Sequence, residues 1–529
     1  MKDIQLKYDP RPQQSEILDF VIDSIVNKEK KFMMIDAPTG VGKSYAAVMI
    51  ADWYRREINN DAKFDVITNT KLLQDQYTKD FPFMASLKGS NTYWCRKNLM
   101  SCGESKMLIK SKKEKACSSC PHSIAQSAFL NERIGLTNYH LLTAYAMYSP
   151  DMLADRAANV LIIDEAHSFE EAFCDFITST FSERSLTALG IWEPWMSADF
   201  DEIQSIRDLA KYVKSVLIPR LSIYMSELIN EARETSGKKK RHELVKKADH
   251  CDKSKCKWNR FIDDDSNYDT NWVFEKDLDQ NGQSKILVEP IWGNEYLKEM
   301  FWDKYDHVIM MSGTIIDPSM LAFLMGLESD AYTYLSLPCP FNAENRPIIY
   351  LKFGKMSYYD KSATFKRAIP IIGKILSKNK DNKGIIHSGN YQFNEWIRRS
   401  IKDKRLLIHD SSNREDYLKH HLESEFETVL VSPSMMNGID LKDELSRFQI
   451  ILKVPFPNLQ SSKIKRRLET KNDWYNWKTL IEIMQSYGRS IRNEEDWAET
   501  YILDACFDQV LTRNVPQYFR DALIIKTLN

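Results

Sequence analysis

A chain of 529 residues is too long to fold around one hydrophobic core and should divide into roughly three or four domains. Its 43% hydrophobic and 28% charged residues, with only 17 Gly and 18 Pro, exclude a disordered or linker-rich chain. A formal net charge of −1 excludes a globally basic protein, so any polyanion must be met by local charge.

The amino terminus, Met1 to Leu6, lacks the apolar stretch of a secretory signal. No later apolar run approaches the roughly 18 to 20 residues that span a bilayer, so a cytoplasmic, membrane-free protein is expected. Nine cysteines in a reducing compartment then argue for a metal-ligating cluster over a disulfide framework.

After Arg11-Pro12-Gln13-Gln14, the run Lys31-Phe32-Met33-Met34-Ile35 is short, apolar and bounded by turn residues, which suits a buried strand. Ala37-Pro38-Thr39-Gly40-Val41-Gly42-Lys43-Ser44 follows, and Lys43 to Tyr54 is rich in helix formers without Gly or Pro. Strand, glycine-containing loop and helix in that order form an anion cradle. Backbone N–H groups around Thr39, Gly40 and Gly42 face the phosphates, Lys43 supplies a point charge, and the Ser44 hydroxyl can ligate Mg²⁺. ATP and Mg²⁺ are therefore the expected ligands.

Val66 to Gln76 reads as a strand followed by polar residues at a helix start, where backbone N–H groups can grip a nucleic-acid phosphate. Cys95, Cys102, Cys117 and Cys120 come next, spaced C-x6-C-x14-C-x2-C. Four thiolates suit either a tetrahedral Zn²⁺ or a [4Fe-4S] cluster, and spacing alone does not choose. Between Arg96 and Lys115 seven Lys/Arg stand against two Glu, a local charge of +5. The run is either a solvated loop or a polyanion contact, and Tyr93 and Trp94 beside it can stack bases or pack in a core.

Ala157 to Ile163 supplies a second buried strand, ending in Asp164-Glu165-Ala166-His167. Asp164 is expected to hold Mg²⁺ and Glu165 to orient and polarise the attacking water, with His167 beside the nucleotide. Standing alone, the motif reads equally well as an acidic helix cap. About 140 residues separate His167 from Ser312, more than a simple βα connection requires, so an inserted domain is expected. Helical spacing over 200–232 makes it mostly helical. Its run Lys238-Lys239-Lys240-Arg241, near Lys246 and Lys247, is either a DNA-contacting loop or a solvated turn. Cys174, Cys251, Cys256, Cys339 and Cys506 have no second CxxC partner and are not read as a metal site.

Further strands are expected at Val308-Ile309-Met310-Met311, before Ser312-Gly313-Thr314, at Gly384-Ile385-Ile386-His387 and at Thr428-Val429-Leu430-Val431. Gln485-Ser486-Tyr487-Gly488-Arg489-Ser490-Ile491-Arg492 should be helical, placing Gln485, Arg489 and Arg492 on one face. Two arginines presented across an interdomain cleft are what an arginine finger requires.

The loop Ala37–Ser44 combined with Asp-Glu-Ala-His resembles the DEAH-box branch of superfamily 2 helicases. In that family's order, Arg11 to Gln14 looks like the adenine-sensing segment, implying a base contact by Gln14. Val66–Gln76 resembles motif Ia, Ser312-Gly313-Thr314 motif III, His387-Ser388 motif IV and Gln485–Arg492 motif VI. Met436-Asn437-Gly438-Ile439-Asp440 resembles motif V, which adds Gly438 and Asp440 to the nucleotide set; Asn437 stands where the family usually has Glu. Ile450 to Pro457 resembles the strand and Pro-Phe-Pro element of the XPD/DinG group. The cysteine insertion between motifs Ia and II resembles that group's iron-sulfur domain, implying a [4Fe-4S] cluster on Cys95, Cys102, Cys117 and Cys120. Leu136 to Leu142 resembles its Asn-Tyr-His segment. Asp504-Ala505-Cys506 lacks the Arg the family often places two residues after this Asp, and Trp497-Ala498 replaces the usual Gly after Asp496, both marks of a divergent member.

The resemblance implies an α/β fold of two RecA-like parallel-sheet motor domains with two insertions in the first. The expected layout is RecA-like domain 1 at 1–87, 126–185 and 296–325, the iron-sulfur domain at 88–125, an Arch-like helical insertion at 186–295, and RecA-like domain 2 at 326–529. It further implies a monomeric ATP-dependent DNA helicase moving 5′→3′ on single-stranded DNA and opening forked DNA. The alternatives are a DNA-stimulated clamp or remodelling switch that does not unwind, a zinc-dependent RNA helicase, and a helicase-nuclease. The last finds no room before Arg11 for an exonuclease domain and no compact carboxylate-rich nuclease motif elsewhere.

Overall fold

The computed structural model describes residues 9–111, 119–279, 281–433, 443–488, 496–511 and 514–527. Short apolar runs between polar turns become strands whose two faces feed two different cores. Phe32 and Met34 join one hydrophobic cluster while Met33 and Ile35 join another, and Leu161 and Ile163 are divided from Val160 and Ile162 in the same way. Strands covered on both faces read as unbroken apolar runs, because no position along them faces water.

These strands build a seven-stranded sheet in the order Tyr332–Ser336, Phe32–Asp36, His307–Ser312, Val160–Asp164, Phe64–Thr68, Ile134–Asn138, Ala85–Ser86, with every pairing parallel. Asp36 pairs with Ser312, and Met311 with Asp164. The phosphate loop, Ser312-Gly313-Thr314 and Asp164 to His167 therefore emerge side by side at the carboxyl edge, where open parallel sheets bind ligands. Tyr332–Ser336 lies alongside Phe32–Asp36, so the first sheet extends beyond the boundary at 325 expected from sequence. Pairing between parallel strands far apart in the chain leaves no local signal.

The second sheet runs Leu406–Ile408, Val429–Ser432, Gly384–His387, Phe448–Ile451, Glu499–Ile502, Ile348–Lys352, Leu523–Thr527, again all parallel. It too separates two cores, with Ile451 and Ile502 on one side and Ile450 and Tyr501 on the other.

The large insertion carries a helical hairpin, Ile218–Glu234 and Lys238–Asp263. It also holds an antiparallel sheet of Ser179–Phe181, Ser284–Pro290 and Trp272–Leu278, so it begins before residue 186 and is less purely helical than its periodicity suggests. The run at 238–241 opens the second hairpin helix and is not a loop. Lys240 pairs with Glu231 at 2.8 Å, and Arg241 Nε donates to the Thr235 carbonyl at 2.9 Å. The cysteine segment forms a small antiparallel pair, Trp94–Cys95 with Met100–Ser101, then the helix Cys102–Ser111. That helix packs on the insertion's hairpin, and His242 Nε2 lies 2.9 Å from Glu104 Oε1. Among the described residues no helix is long and apolar enough to cross a membrane.

Candidate nucleotide site

Gly40 and Gly42 adopt φ of +94° and +88°, left-handed values that L side chains reach only with strain. A Cβ on Gly42 would stand 2.3 Å from Gln14 Nε2, and one on Gly40 2.2 Å from the Phe341 ring. Arg11 and Gln14 brace this loop from behind. Arg11 donates to the Gly40 carbonyl at 2.7 Å, and Gln14 Nε2 to the Val41 carbonyl at 3.0 Å. Gln14 Oε1 accepts the Arg11 backbone N–H at 2.9 Å. The amide expected to face adenine is thus engaged by the loop and by its own helix start. Gly42→Ala should weaken ATP binding by about tenfold or more through strain and the Gln14 clash; titration with a fluorescent ATP analogue reads it, and unchanged circular dichroism shows the fold intact.

Lys43 Nζ sits 3.3 Å from the Ala37 carbonyl and 3.7 Å from Glu165 Oε1. Asp164 is buried, and burial together with the adjacent Glu165 charge pushes its carboxyl up to about 6, against the pull of Lys43 and a hydrogen bond from Tyr77. The Tyr77 hydroxyl donates to Asp164 Oδ2 at 2.9 Å and also bonds Ser44. One fully buried phenol thus touches both residues expected to hold Mg²⁺. A carboxylate made costly by burial, beside a hydroxyl, is a donor set that fits a hard divalent cation. Glu165 has φ of +60°, a left-handed conformation that costs a non-glycine residue about 1 kcal/mol or more. This backbone turn carries its carboxylate into the cleft between Lys43 and His167.

His167 Nδ1 shares a hydrogen bond with Ser312 Oγ at 2.7 Å and lies 3.5 Å from Glu165 Oε2. Burial pulls its pKa down, which favours the neutral ring. Thr314 Oγ1 is 3.4 Å from the same nitrogen and accepts from Gln485 Nε2 at 2.9 Å. A polar chain therefore runs from Glu165 through His167 and Thr314 to Gln485 on the helix Asn472–Tyr487, crossing from the first sheet to the second. Between the walls lies a cavity of about 460 Å³, reached by Thr39, Lys43, Glu165, His167, Gln485 and Gly488. Arg489, Arg492, Gly438 and Asp440, along with Cys117, lie outside the described residues.

The family model for the res subunit of type III restriction enzymes matches residues 7–191, and that for a helicase C-terminal domain matches 375–523. The ATP-dependent DNA helicase DinG of Photobacterium profundum is 22% identical over 277 residues, covering 48% of this chain and 39% of that protein. The ATP-dependent DNA helicase CHL1 of Vanderwaltozyma polyspora is 25% identical over 142 residues, covering 22% of this chain and 17% of that one. The chain thus matches well under half the length of these curated relatives. An XPD helicase of known structure superposes on 98% of this chain and 100% of its own, with a TM-score of 0.59 and 15% identity. By both family models and these relatives, the chain resembles the XPD/DinG-like superfamily 2 helicases.

Several residues of this XPD/DinG-like cleft escape a linear reading. Buried Arg346 lines the cavity, donating through Nε to the Phe341 carbonyl at 3.0 Å and through NH1 to the Tyr487 hydroxyl at 2.6 Å. No local pattern marks it. Lys478 bridges the sheets, meeting Glu171 at 2.7 Å and Glu482 at 3.1 Å; its place two helical turns before Gln485 is the signal that would have found it. Next to it, Arg467 and Glu170 form an ion pair of 2.7 Å with both side chains only 2% exposed.

Away from the cleft, Cys95, Cys102 and Cys120 share one buried cluster with Tyr93 against them. The Cys102 thiol is pushed up by burial and by the neighbouring Cys120 and Cys95. Among the described residues no group of three or more His, Cys, Asp or Glu is arranged to hold a metal ion. Trp94 is exposed while Tyr93 packs edge-on against His122 with ring centroids 5.4 Å apart, so only the tryptophan is free to stack.

Proposed function

We propose that this chain is a monomeric ATP-driven motor that moves 5′→3′ along single-stranded DNA and opens forked duplexes. The observation that carries this reading is the polar chain from Glu165 to Gln485, which joins the phosphate loop's sheet to the second sheet across one cavity. Hydrolysis in such a cleft changes what holds the sheets together. Loop N–H groups and Lys43 would receive the phosphates, Glu165 would orient the attacking water, and Arg489 and Arg492, next along from Gln485, would approach the γ phosphate as the cleft closes. Mg²⁺, held by Ser44 and Asp164, would supply neutralisation of phosphate charge. The names of the curated relatives and the family's motif order support DNA as the track.

The two ion pairs across the cleft, one of them fully buried, favour one second reading, a DNA-stimulated ATPase that clamps without unwinding. Strand displacement on forks with 5′ or 3′ single-stranded arms, measured beside ATP turnover with and without single-stranded DNA, separates the two. Displacement dependent on the 5′ arm is expected. Stimulated turnover without displacement would establish the clamp, and DNA-independent turnover would remove the motor reading altogether.

The thiol cluster belongs to the same proposal. Cys95, Cys102 and Cys120, with Cys117 as the fourth ligand, would hold a [4Fe-4S] cluster, for which four thiolates are the ordinary donor set. Purified protein should be brown with about four iron atoms per chain; colourless protein carrying zinc would replace this assignment with a zinc site.

A further inference from the structure

On the second domain, outside the lining of the nucleotide cavity, two adjacent tyrosines stand in water. Tyr358 is 80% and Tyr359 91% exposed, the two highest values among the large apolar side chains of the described residues, and they stand side by side as a patch. They are held there by a built turn. Met356 is buried, and its backbone N–H donates to Asp504 Oδ1 at 2.8 Å. Ser357 Oγ donates to Asp360 Oδ2 at 2.6 Å, and the Lys361 N–H closes back on the Ser357 carbonyl at 2.9 Å. The rings are 5.4 Å apart at 89° to each other. Lys361 sits over Tyr358 at 5.2 Å and reaches Gln392 Oε1 at 2.8 Å, which ties the turn to the helix Tyr391–Ser400 that follows the strand Gly384–His387.

The charge around the turn is predominantly positive. From 352 to 367 the chain has Lys352, Lys355, Lys361, Lys366 and Arg367 against Asp360 alone. Asp360 is bonded to Ser357, and Lys352 pairs with Asp508; Lys355, Lys366 and Arg367 are exposed. Rigidly presented aromatic faces within a cationic rim are what an unpaired nucleotide strand recognises, since the rings stack bases of any sequence while the cations follow the phosphates. An apolar protein partner would call for a rim of mixed charge and a broader apolar surface.

We infer that Tyr358 and Tyr359 form a stacking platform for bases of single-stranded DNA at the carboxyl edge of the second sheet. The inference rests on the reading of the chain as a DNA motor and adds to it a site on the DNA path. Full-length protein is titrated with fluorescein-labelled oligo-dT and followed by anisotropy, comparing the parent with the Tyr358→Ala/Tyr359→Ala and Tyr358→Phe/Tyr359→Phe double variants. The Ala pair should raise Kd by about tenfold or more. The Phe pair, which keeps the rings, should bind like the parent. ATP turnover without DNA and the melting temperature should be unchanged in both. Parental affinity in the Ala pair overturns the platform and leaves the motor reading standing. Failure of the parent protein to bind oligo-dT removes both.

Discussion

Glu165→Gln will lower DNA-stimulated ATP turnover by about a hundredfold to a thousandfold while leaving ATP affinity close to parental. The side chain lies 3.7 Å from Lys43 Nζ and 3.5 Å from His167 Nδ1, at the mouth of the cavity between the sheets. A positioned carboxylate that accepts a proton from water contributes on the order of 10² to 10⁴ in rate. The amide has the same shape but is a far weaker base. It also keeps the backbone turn at φ +60°, so loss of turnover cannot be traced to a changed fold. Lys43→Ala differs in kind: it removes the cation facing the phosphates, so affinity and turnover should fall together. Phosphate release in the presence of oligo-dT, with titration of a fluorescent ATP analogue, reads both variants. Near-parental turnover in either sinks the site assignment.

The parts of the cleft legible in the sequence are those whose chemistry is local. Phe32 to Ser44 places strand, turn glycines and helix within a few residues, and Val160 to His167 does the same for the acidic pair. Parallel strands buried on both faces announce themselves as apolar runs, which is why both sheets could be anticipated. What escaped depends on contacts between distant segments. Tyr77 reaches Asp164 across 87 positions, and Arg467 reaches Glu170 across 297; neither tyrosine nor arginine carries a mark of its partner. Tyr332–Ser336 joins the first sheet through a parallel pairing with Phe32–Asp36 that no turn announces. Gln14 shows a different limit. Its position in a motif was readable, but whether its amide turns to a base or to the loop depends on three-dimensional packing that puts the Val41 carbonyl within 3.0 Å.

Arg467→Met will destabilise the protein more than any surface change, and adding Glu170→Gln will recover a substantial part of the loss. Arg467 donates to Glu170 Oε1 at 2.7 Å and to the Ile291 carbonyl at 2.6 Å, with the Trp292 and Trp474 rings at 4.5 Å and 5.0 Å from its guanidinium. Glu170 also accepts the Gly293 N–H at 2.7 Å. Removing the cation leaves a carboxylate with 2% exposure and no opposite charge at that distance, which costs about 3 to 5 kcal/mol. In a chain of several domains this should lower the first melting transition by about 10 °C. Neutralising Glu170 in the same molecule removes the stranded charge, and the amide oxygen can still accept from Gly293. The double variant should therefore melt above Arg467→Met alone, a coupling whose sign a scan of the two singles and the double determines. The pair also spans the cleft: Glu170 belongs to the helix Phe169–Ile177 just after Asp164–His167, and Arg467 to the helix Ser462–Thr470 leading toward Gln485. The double variant should accordingly regain stability without regaining full DNA stimulation of turnover, because its sheets are no longer joined by charge at this point. An Arg467→Met protein that melts within about 2 °C of the parent, which the same scale equates with less than about 1 kcal/mol, would show that the pair does not hold the two sheets together.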